Sequence, residues 1–381
     1  MDRTYRVGII GFGFIGKVHA YGYQVMPYYY DPPPVRARIT HVCTGHADSA
    51  ERGRALVGAE VGCTDYRQIT ENPEIDIVHI CSPNHLHREA LLSAMAAGKH
   101  IYCDKPLVAS LEEAESIRHA LPGYRGTAQM TFQIRFFPAI LRARQLIAEG
   151  FLGELLEFRC LFLHGGSADA NAPLKWKLSA KAGGGVIADL GSHALDLTTA
   201  LLGPIAAVCA ATRTAFAERP DPDHPGRKAP VDAEDAVQAL VRLPSGVLGT
   251  VGATKLATGA EDEMRFELHG TRGAIRYNQM DPHHLEIYDA GAPDGPIGGR
   301  RGWTRVATGQ RYPEPALAFP GPKMTIGWMR SHVACLAAFL EAVRDRRAGD
   351  PDLAQGLYIQ ELMDALRRSA REHRWVETPS G

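Results

Sequence analysis

The sequence predicts an α/β N-terminal domain built on a doubly wound parallel sheet, followed by an α+β domain with a mostly antiparallel sheet. Three observations predict this. Up to about residue 130, short β-branched runs alternate with helix-length segments, the texture of a parallel sheet with crossover helices. The first of these runs ends in Gly11-x-Gly13-x-x-Gly16 and opens a helix. From about residue 150, strand-like runs follow one another across short turns, which implies antiparallel pairing.

Taken in order, Tyr5–Ile10 reads as an apolar strand, followed by strands at Ile39–Cys43, Ile75–Cys81, His100–Cys103 and Gly126–Phe132. Helices are expected at Ile15–Met26, Ser49–Val57, Leu86–Ala97 and Leu111–Leu121. Ser110, with Glu113 three residues on, has capping-box spacing at the start of the last of these. In the second half, Leu155–Leu163, Ala236–Leu243, Val247–Ala253, Met264–His269 and His284–Tyr288 read as strands. Turns at Pro244-Ser245-Gly246 and Gly270-Thr271-Arg272-Gly273 punctuate them. Ala217–Pro230 and Ala290–Pro322 are rich in Pro, Gly and charge and read as loops or insertions. Trp328–Arg346 and Leu353–His373 have helical periodicity.

A chain of 381 residues is too long for one ordinary domain. The change of texture places the domains at 1–125 and 126–381. At 45% hydrophobic and 22% charged, both can bury a core without disulfides or metals. A net charge of −1 and no basic stripe argue against nucleic acid and anionic membranes as partners. Seven cysteines without a Cys-x-x-Cys pair, with Cys43, Cys81 and Cys103 in apolar runs, fit buried free thiols in a reducing compartment. The N-terminal residues run directly into a strand, and no apolar run approaches the roughly eighteen residues of a membrane span. The expected location is the cytoplasm.

The glycine turn is the strongest chemical signal. Gly11 permits the tight strand-to-helix turn, Gly13 lets a pyrophosphate approach the backbone, and Gly16 lets the helix pack closely on the sheet. The N–H groups of the first helical turn, around Phe14 and Ile15, would then face the phosphates. An acid at the tip of the second strand would select NAD through the ribose hydroxyls. Here the tip is Cys43-Thr44-Gly45-His46, without a carboxylate and without an obvious Arg clamp, although Arg52 and Arg54 lie in the next helix. Thr44 or His46 is available to a ribose; NAD is preferred and NADP stays open. The insertion Tyr28–Pro34 reads as a loop packed by its own aromatics, with a sugar-stacking wall as the alternative.

Three further elements follow in order. Ser82-Pro83-Asn84-His85-Leu86-His87 ends one predicted strand and Asp104-Lys105-Pro106 ends the next, at carboxyl ends where open α/β sheets bind ligands. Later, Gly183-Gly184-Gly185 precedes Asp189-Leu190-Gly191-Ser192-His193-Ala194-Leu195-Asp196. With the glycine turn, these four elements resemble the glucose–fructose oxidoreductase / inositol dehydrogenase / rhizopine catabolism (Gfo/Idh/MocA) family across nearly the whole chain. The resemblance implies a Rossmann domain followed by an α+β domain on a large open sheet, and homodimers or homotetramers. It implies that Lys105 sits near the nicotinamide and the reacting hydroxyl, with Asp189 and His193 completing the catalytic group. It places Ser82, Asn84, His87 and Asp104 at the cofactor, Asp104 standing where the family more often has Glu. Arg135, in Gln133-Ile134-Arg135-Phe136, matches an arginine-containing stretch that lines the cofactor site. Trp176, with Lys177, falls where substrate contacts are often supplied.

Oxidising a secondary alcohol needs a base for the hydroxyl proton, and both Lys105 and His193 are credible carriers. On a regular helix Asp189, His193 and Asp196 would share one face. Taken singly, a Lys-Pro is an exposed turn and Asp189 could be a helix start; the ordered set of motifs turns the reading toward catalysis. Asp196 stays open between site and structural residue. His85 and His87 are poorly spaced for one metal, and no metal is expected. The predicted activity is hydride exchange between NAD(P) and a secondary hydroxyl or keto group of a sugar, glycoside or cyclic polyol. The same motifs also serve an NAD-dependent, redox-neutral glycoside hydrolase and a non-catalytic NAD(P)-binding regulator.

Overall fold

The computed structural model describes residues 3–379. In the first part of the chain, strands β1 (Thr4–Ile10), β2 (Arg36–Cys43), β3 (Val61–Cys63), β4 (Ile77–Ile80), β5 (His100–Cys103) and β6 (Ala128–Met130) form one sheet. Its order is β3-β2-β1-β4-β5-β6, and every adjacent pair is parallel. The order reverses beside β1, which makes the ends of β1 and β4 the topological switch point. Helices α1 (Phe14–Tyr29), α2 (Ala47–Val57), α3 (Arg67–Thr70), α4 (His87–Ala96) and α5 (Leu111–Ala120) make the crossovers. The α5 cap is as expected: Ser110 Oγ accepts from Glu113 N at 3.2 Å, while the Glu113 carboxylate accepts from Ala109 N at 2.9 Å.

The second sheet has nine strands. They are β7 (Leu155–Leu163), β8 (Ala207–Arg213), β11 (Ala236–Arg242), β12 (Leu248–Thr254), β13 (Glu263–Gly270), β14 (Gly273–Asn278), β15 (His284–Asp289), β16 (Trp303–Ala307) and β17 (Val376–Glu377). The order is β16-β15-β14-β13-β7-β12-β11-β8-β17, antiparallel except where β12 runs parallel to β7. Strands β9 (Glu218–Pro220) and β10 (Lys228–Pro230) form a separate hairpin. Among the described residues four more α-helices follow: α6 (Pro138–Ala148), α7 (Ser192–Leu202), α8 (Trp328–Asp345) and α9 (Leu353–Glu372).

Contacts divide the chain into two compact units. The first holds residues 1–136, 312–319 and 328–360; the second holds 137–311, 320–327 and 361–381. In the first unit α8 returns to pack on α1, where Gly22 brings the two helices so close that a Cβ would stand 2.8 Å from Leu336. Val7, Ile9, Ile77, Tyr102 and Phe339 are completely buried in its core. In the second unit α7 lies on the sheet at β7 and β12.

Several expectations change. The expected strands Ile75–Cys81 and Gly126–Phe132 shorten to Ile77–Ile80 and Ala128–Met130, because the apolar residues beyond their pairing register are buried in turns. β3 was not anticipated, being three residues long and recruited by parallel pairing with β2. The expected loops 217–230 and 290–322 contain β9, β10 and β16, which gain order from pairing rather than from their own propensity. Helix α1 continues through Pro27 to Tyr29. Its end is held by aromatic packing: Tyr29 meets Phe319 edge-on at 5.5 Å, and the buried Arg330 guanidinium stacks on Tyr29 and Tyr312 at 4.3 and 3.8 Å. The Tyr28–Pro34 insertion is therefore engaged in packing. All seven cysteines are free, and Cys43, Cys81 and Cys103 are buried as expected. Among the described residues no helix is long and apolar enough to cross a membrane.

Candidate active site

The three glycines of the first turn meet different constraints. Gly11 has φ +88°, and a Cβ there would lie 2.5 Å from the backbone of Cys81 and Ser82. At Gly16 a Cβ would lie 2.2 Å from the Gly11 carbonyl, so this glycine lets α1 sit on the turn. A Cβ on Gly13 would meet nothing within 4 Å. Gly13 is required by no neighbour in the chain, and the space it leaves open lies at the N-terminus of α1. There the first-turn N–H groups have no intrahelical acceptor and the helix dipole favours an anion. The turn is thus a cradle that a dinucleotide pyrophosphate fits. Ser82 Oγ beside it is buried and has no hydrogen-bond partner among the described residues, which leaves it free for a ligand.

The remaining predicted cofactor residues fall into two groups. Asp104 and Lys105 lie partly exposed at the end of β5, and Thr131 donates to Asp104 Oδ1 at 2.9 Å. Asn84 is buried where a short 3₁₀ turn begins. His87 and Arg135 are turned toward the protein itself. His87 Nδ1 stands 3.1 Å from the carbonyls of Pro106 and Leu107, and Nε2 stands 2.8 Å from that of Ser82. It ties the Ser82 and Lys105 loops together and so positions both. Arg135, almost wholly buried, donates to Asp350 at 3.0 Å. At the β2 tip Thr44 Oγ1 donates to the His46 carbonyl at 2.9 Å and lies 2.6 Å from Ser49 Oγ. Arg54, in the helix after the tip, is bound to the Glu51 carboxylate at 2.6 and 2.7 Å.

In the second unit Asp189 lies between two lysines, one of them beside Trp176, and His193 follows four residues along the chain. The expected regular helix through Asp189 and His193 is not formed: Ile187–Gly191 is a π-helical turn, and α7 starts only at Ser192. The wider turn changes the direction in which Asp189 projects relative to α7, a kind of irregularity that recurs at functional sites. Its origin is the triple glycine. Gly185 has φ +98° and a Cβ there would strike the Glu234 carboxylate at 2.4 Å, while one on Gly184 would strike the Lys177 carbonyl at 2.5 Å. Glu234 in turn accepts from Ile187 N at 3.1 Å and holds the start of the turn.

Asp189 is clamped on both oxygens. Lys177 Nζ reaches Oδ1 and Lys255 Nζ reaches Oδ2, each at 2.8 Å. Each oxygen accepts a charge-assisted hydrogen bond from an ammonium group, the arrangement that suits an ionised carboxylate. Lys177 also lies over the half-exposed Trp176 ring, 5.9 Å from its centre. His193 is buried against Phe162 with ring centres 5.9 Å apart, and Asp196 is buried further along α7. Lys255 was missed in the sequence, where a lysine just past a strand looks like a solvated end. Its backbone is fixed on both sides, N donating to Asp235 O at 2.9 Å and O accepting from Ser167 N at 2.8 Å.

With this geometry established, comparison with known proteins is decisive. Residues 5–132 match the oxidoreductase family with an NAD-binding Rossmann fold, and residues 140–276 match the GFO/IDH/MocA C-terminal domain. The chain belongs to the Gfo/Idh/MocA oxidoreductase family. Levoglucosan dehydrogenase of Pseudarthrobacter phenanthrenivorans is 33% identical, over 99% of this chain and 99% of the relative. Inositol 2-dehydrogenase of Rhizobium meliloti is 26% identical over 98% and 99%. A solved structure of levoglucosan dehydrogenase in complex with NADH and levoglucosan superposes with a TM-score of 0.92, at 32% identity and complete coverage of both chains. The Rossmann domain, the α+β domain and the oxidoreductase class expected from the Gfo/Idh/MocA motifs are thereby borne out.

Proposed function

We propose that this protein is an NAD-preferring dehydrogenase or reductase of a sugar, glycoside or cyclic polyol, with residues 1–125 as its dinucleotide domain. The observation that carries the proposal is the Asp189 carboxylate, held by two ammonium groups close along the chain to His193. A fixed acceptor flanked by cationic donors suits a substrate with neighbouring hydroxyls, each of which donates and accepts. The full-length likeness to a structure holding NADH and levoglucosan supports the same class. NAD is preferred over NADP because the β2 tip offers no cationic clamp at Thr44 and Arg54 is committed to Glu51.

In this reading Gly11, Gly13, Phe14, Ile15 and Gly16 receive the pyrophosphate through the backbone. Ser82, Asn84 and Asp104 line the rest of the cofactor site, while His87 and Arg135 position its loops. Nicotinamide, when bound, accepts or returns the hydride. Lys105 takes the hydroxyl proton or shares it with His193, Asp189 orients the substrate hydroxyls, and Trp176 covers the sugar face. The exposed side chains of Leu240 and Leu248, on neighbouring strands β11 and β12, support a homodimer or homotetramer through the sheet.

The test is a panel of anhydrosugars, pentoses and inositols offered with NAD and with NADP, followed by NADH absorbance. Turnover with NAD that is lost in Lys105→Met, with NADH affinity retained, is the expected result. Glycoside cleavage without net NADH, or undiminished turnover in Lys105→Met, would overturn it.

A further inference from the structure

Beneath the phosphate-binding turn, three metal-ligating side chains converge inside the first unit. His19 comes from α1, one turn beyond Gly16, His79 from β4, and Cys81 follows that strand directly. All three are buried. His19 Nδ1 lies 3.1 Å from His79 Nδ1 and 3.1 Å from Cys81 Sγ, and the three atoms fall within 4.8 Å of one another. Donors bonded tetrahedrally to one ion at about 2.0–2.3 Å stand about 3.3–3.6 Å apart, so the two pairs through His19 need to spread only by a few tenths of an ångström.

The surroundings suit ligation as well. Tyr23 Oη lies 2.8 Å from His79 Nε2, the outer partner that fixes a ligating imidazole with Nδ1 turned inward. His19 Nε2 is buried with no hydrogen-bond partner among the described residues. Ligation through Nδ1 requires the proton on that nitrogen, and a bond at Nδ1 offsets the cost of leaving it unpaired. On α8, both nitrogens of His332 are likewise buried with no hydrogen-bond partner among the described residues. Tyr102 and Phe339 close the shell with aromatic rings.

We propose that His19, His79 and Cys81 form a binding site for a borderline-soft cation, zinc in the cell, held through two imidazole Nδ1 atoms and one thiolate. Two nitrogens and one sulfur exclude calcium and magnesium, which take oxygen ligands, and leave a fourth position open. On binding, the Cys81 S–H bond breaks, the proton leaves to solvent and the sulfur lone pair bonds to the ion, with no change in oxidation state. Because the thiol must give up its proton to ligate, binding tightens as pH rises. The backbone of Cys81 is the wall against which Gly11 is packed, which puts the ion in mechanical contact with the dinucleotide turn. The inference is independent of the proposed reaction.

The test is titration of chelator-stripped, full-length protein with Co²⁺, whose spectrum reports thiolate ligation and coordination geometry. One equivalent should produce a thiolate-to-cobalt charge-transfer band and intense d–d bands, release a proton, and be displaced by Zn²⁺. Cys81→Ser should abolish the charge-transfer band, while Cys43→Ser, at another buried thiol, should keep it. Wild-type protein with no thiolate band at millimolar Co²⁺ overturns the proposal, which keeps the test valid even if Cys81→Ser fails to fold. A band that survives in folded Cys81→Ser overturns it equally.

Discussion

Replacing Lys255 with Met tests the Asp189 clamp most sharply, because Met keeps the apolar stem and removes only the ammonium. Both members of the pair are well shielded, the Lys255 and Asp189 side chains being 10% and 17% exposed. A hydrogen bond to a charged group in such surroundings contributes about 1.5–3 kcal/mol, so roughly 2 kcal/mol of substrate positioning is at stake. At about 1.4 kcal/mol per decade, kcat/KM should fall about thirtyfold. Lys177 is equally close at 2.8 Å, but its side chain is 47% exposed. A solvated pair is worth about 0.2–1 kcal/mol, so Lys177→Met should cost no more than about fivefold. Because Lys177 still neutralises Asp189, Lys255→Met should fold normally. The assay is steady-state turnover with a sugar the wild type accepts, with NADH affinity and melting temperature measured alongside. In an Asp189→Asn background the Lys255 effect should largely vanish if the lysine acts through that carboxylate. Equal losses for the two lysines, or a folded Lys255→Met within twofold of wild type, would refute the reasoning.

Other measurements probe the remaining elements. Gly13→Ala should fold as well as wild type yet weaken NADH binding at least about tenfold, since its Cβ meets no protein atom but enters the cradle; Gly11→Ala and Gly16→Ala should lower the melting temperature instead. Burial lowers the His19 pKa from 6.5 to about 4, so between those values the unfolded chain binds a proton that the folded chain refuses. Stability should therefore fall as pH drops through that window, by up to about 3 kcal/mol for His19 alone, with His79 and His332 adding in the same direction. Thermal melts in chelator from pH 7 to 4.5 should show this, and a flat profile would contradict the burial of these rings. Leu240→Glu should shift the mass measured by light scattering toward monomer; an unchanged mass would remove the sheet face from the proposed assembly.

What could be read before folding was local. The glycine turn, the Ser110–Glu113 cap and the strand–helix alternation are encoded within a dozen residues each, and all appear in the structure where the spacing puts them. The short strands β3 and β16 escaped notice because their order comes from a paired neighbour rather than from their own residues. Asp189 and His193 were visible as a pair, but the π-helical turn between them was not, since it depends on Glu234 and on the close approach of Gly184 to the Lys177 backbone. Lys255 was invisible as a site residue for the same reason. A lysine past the end of a strand looks solvated until the chain brings a carboxylate to it.

By itself, the sequence determined the two-part architecture, the dinucleotide cradle and the family, because hydrophobic period and glycine stereochemistry act over short stretches of chain. Only the tertiary structure decided what surrounds each chemical group. It placed two ammonium groups on Asp189, turned Arg135 toward Asp350, and buried His19 and His79 beside Cys81, sixty residues apart in sequence. Charge, burial and hydrogen bonding depend on distance through space, and the sheet order that sets those distances belongs to the fold as a whole.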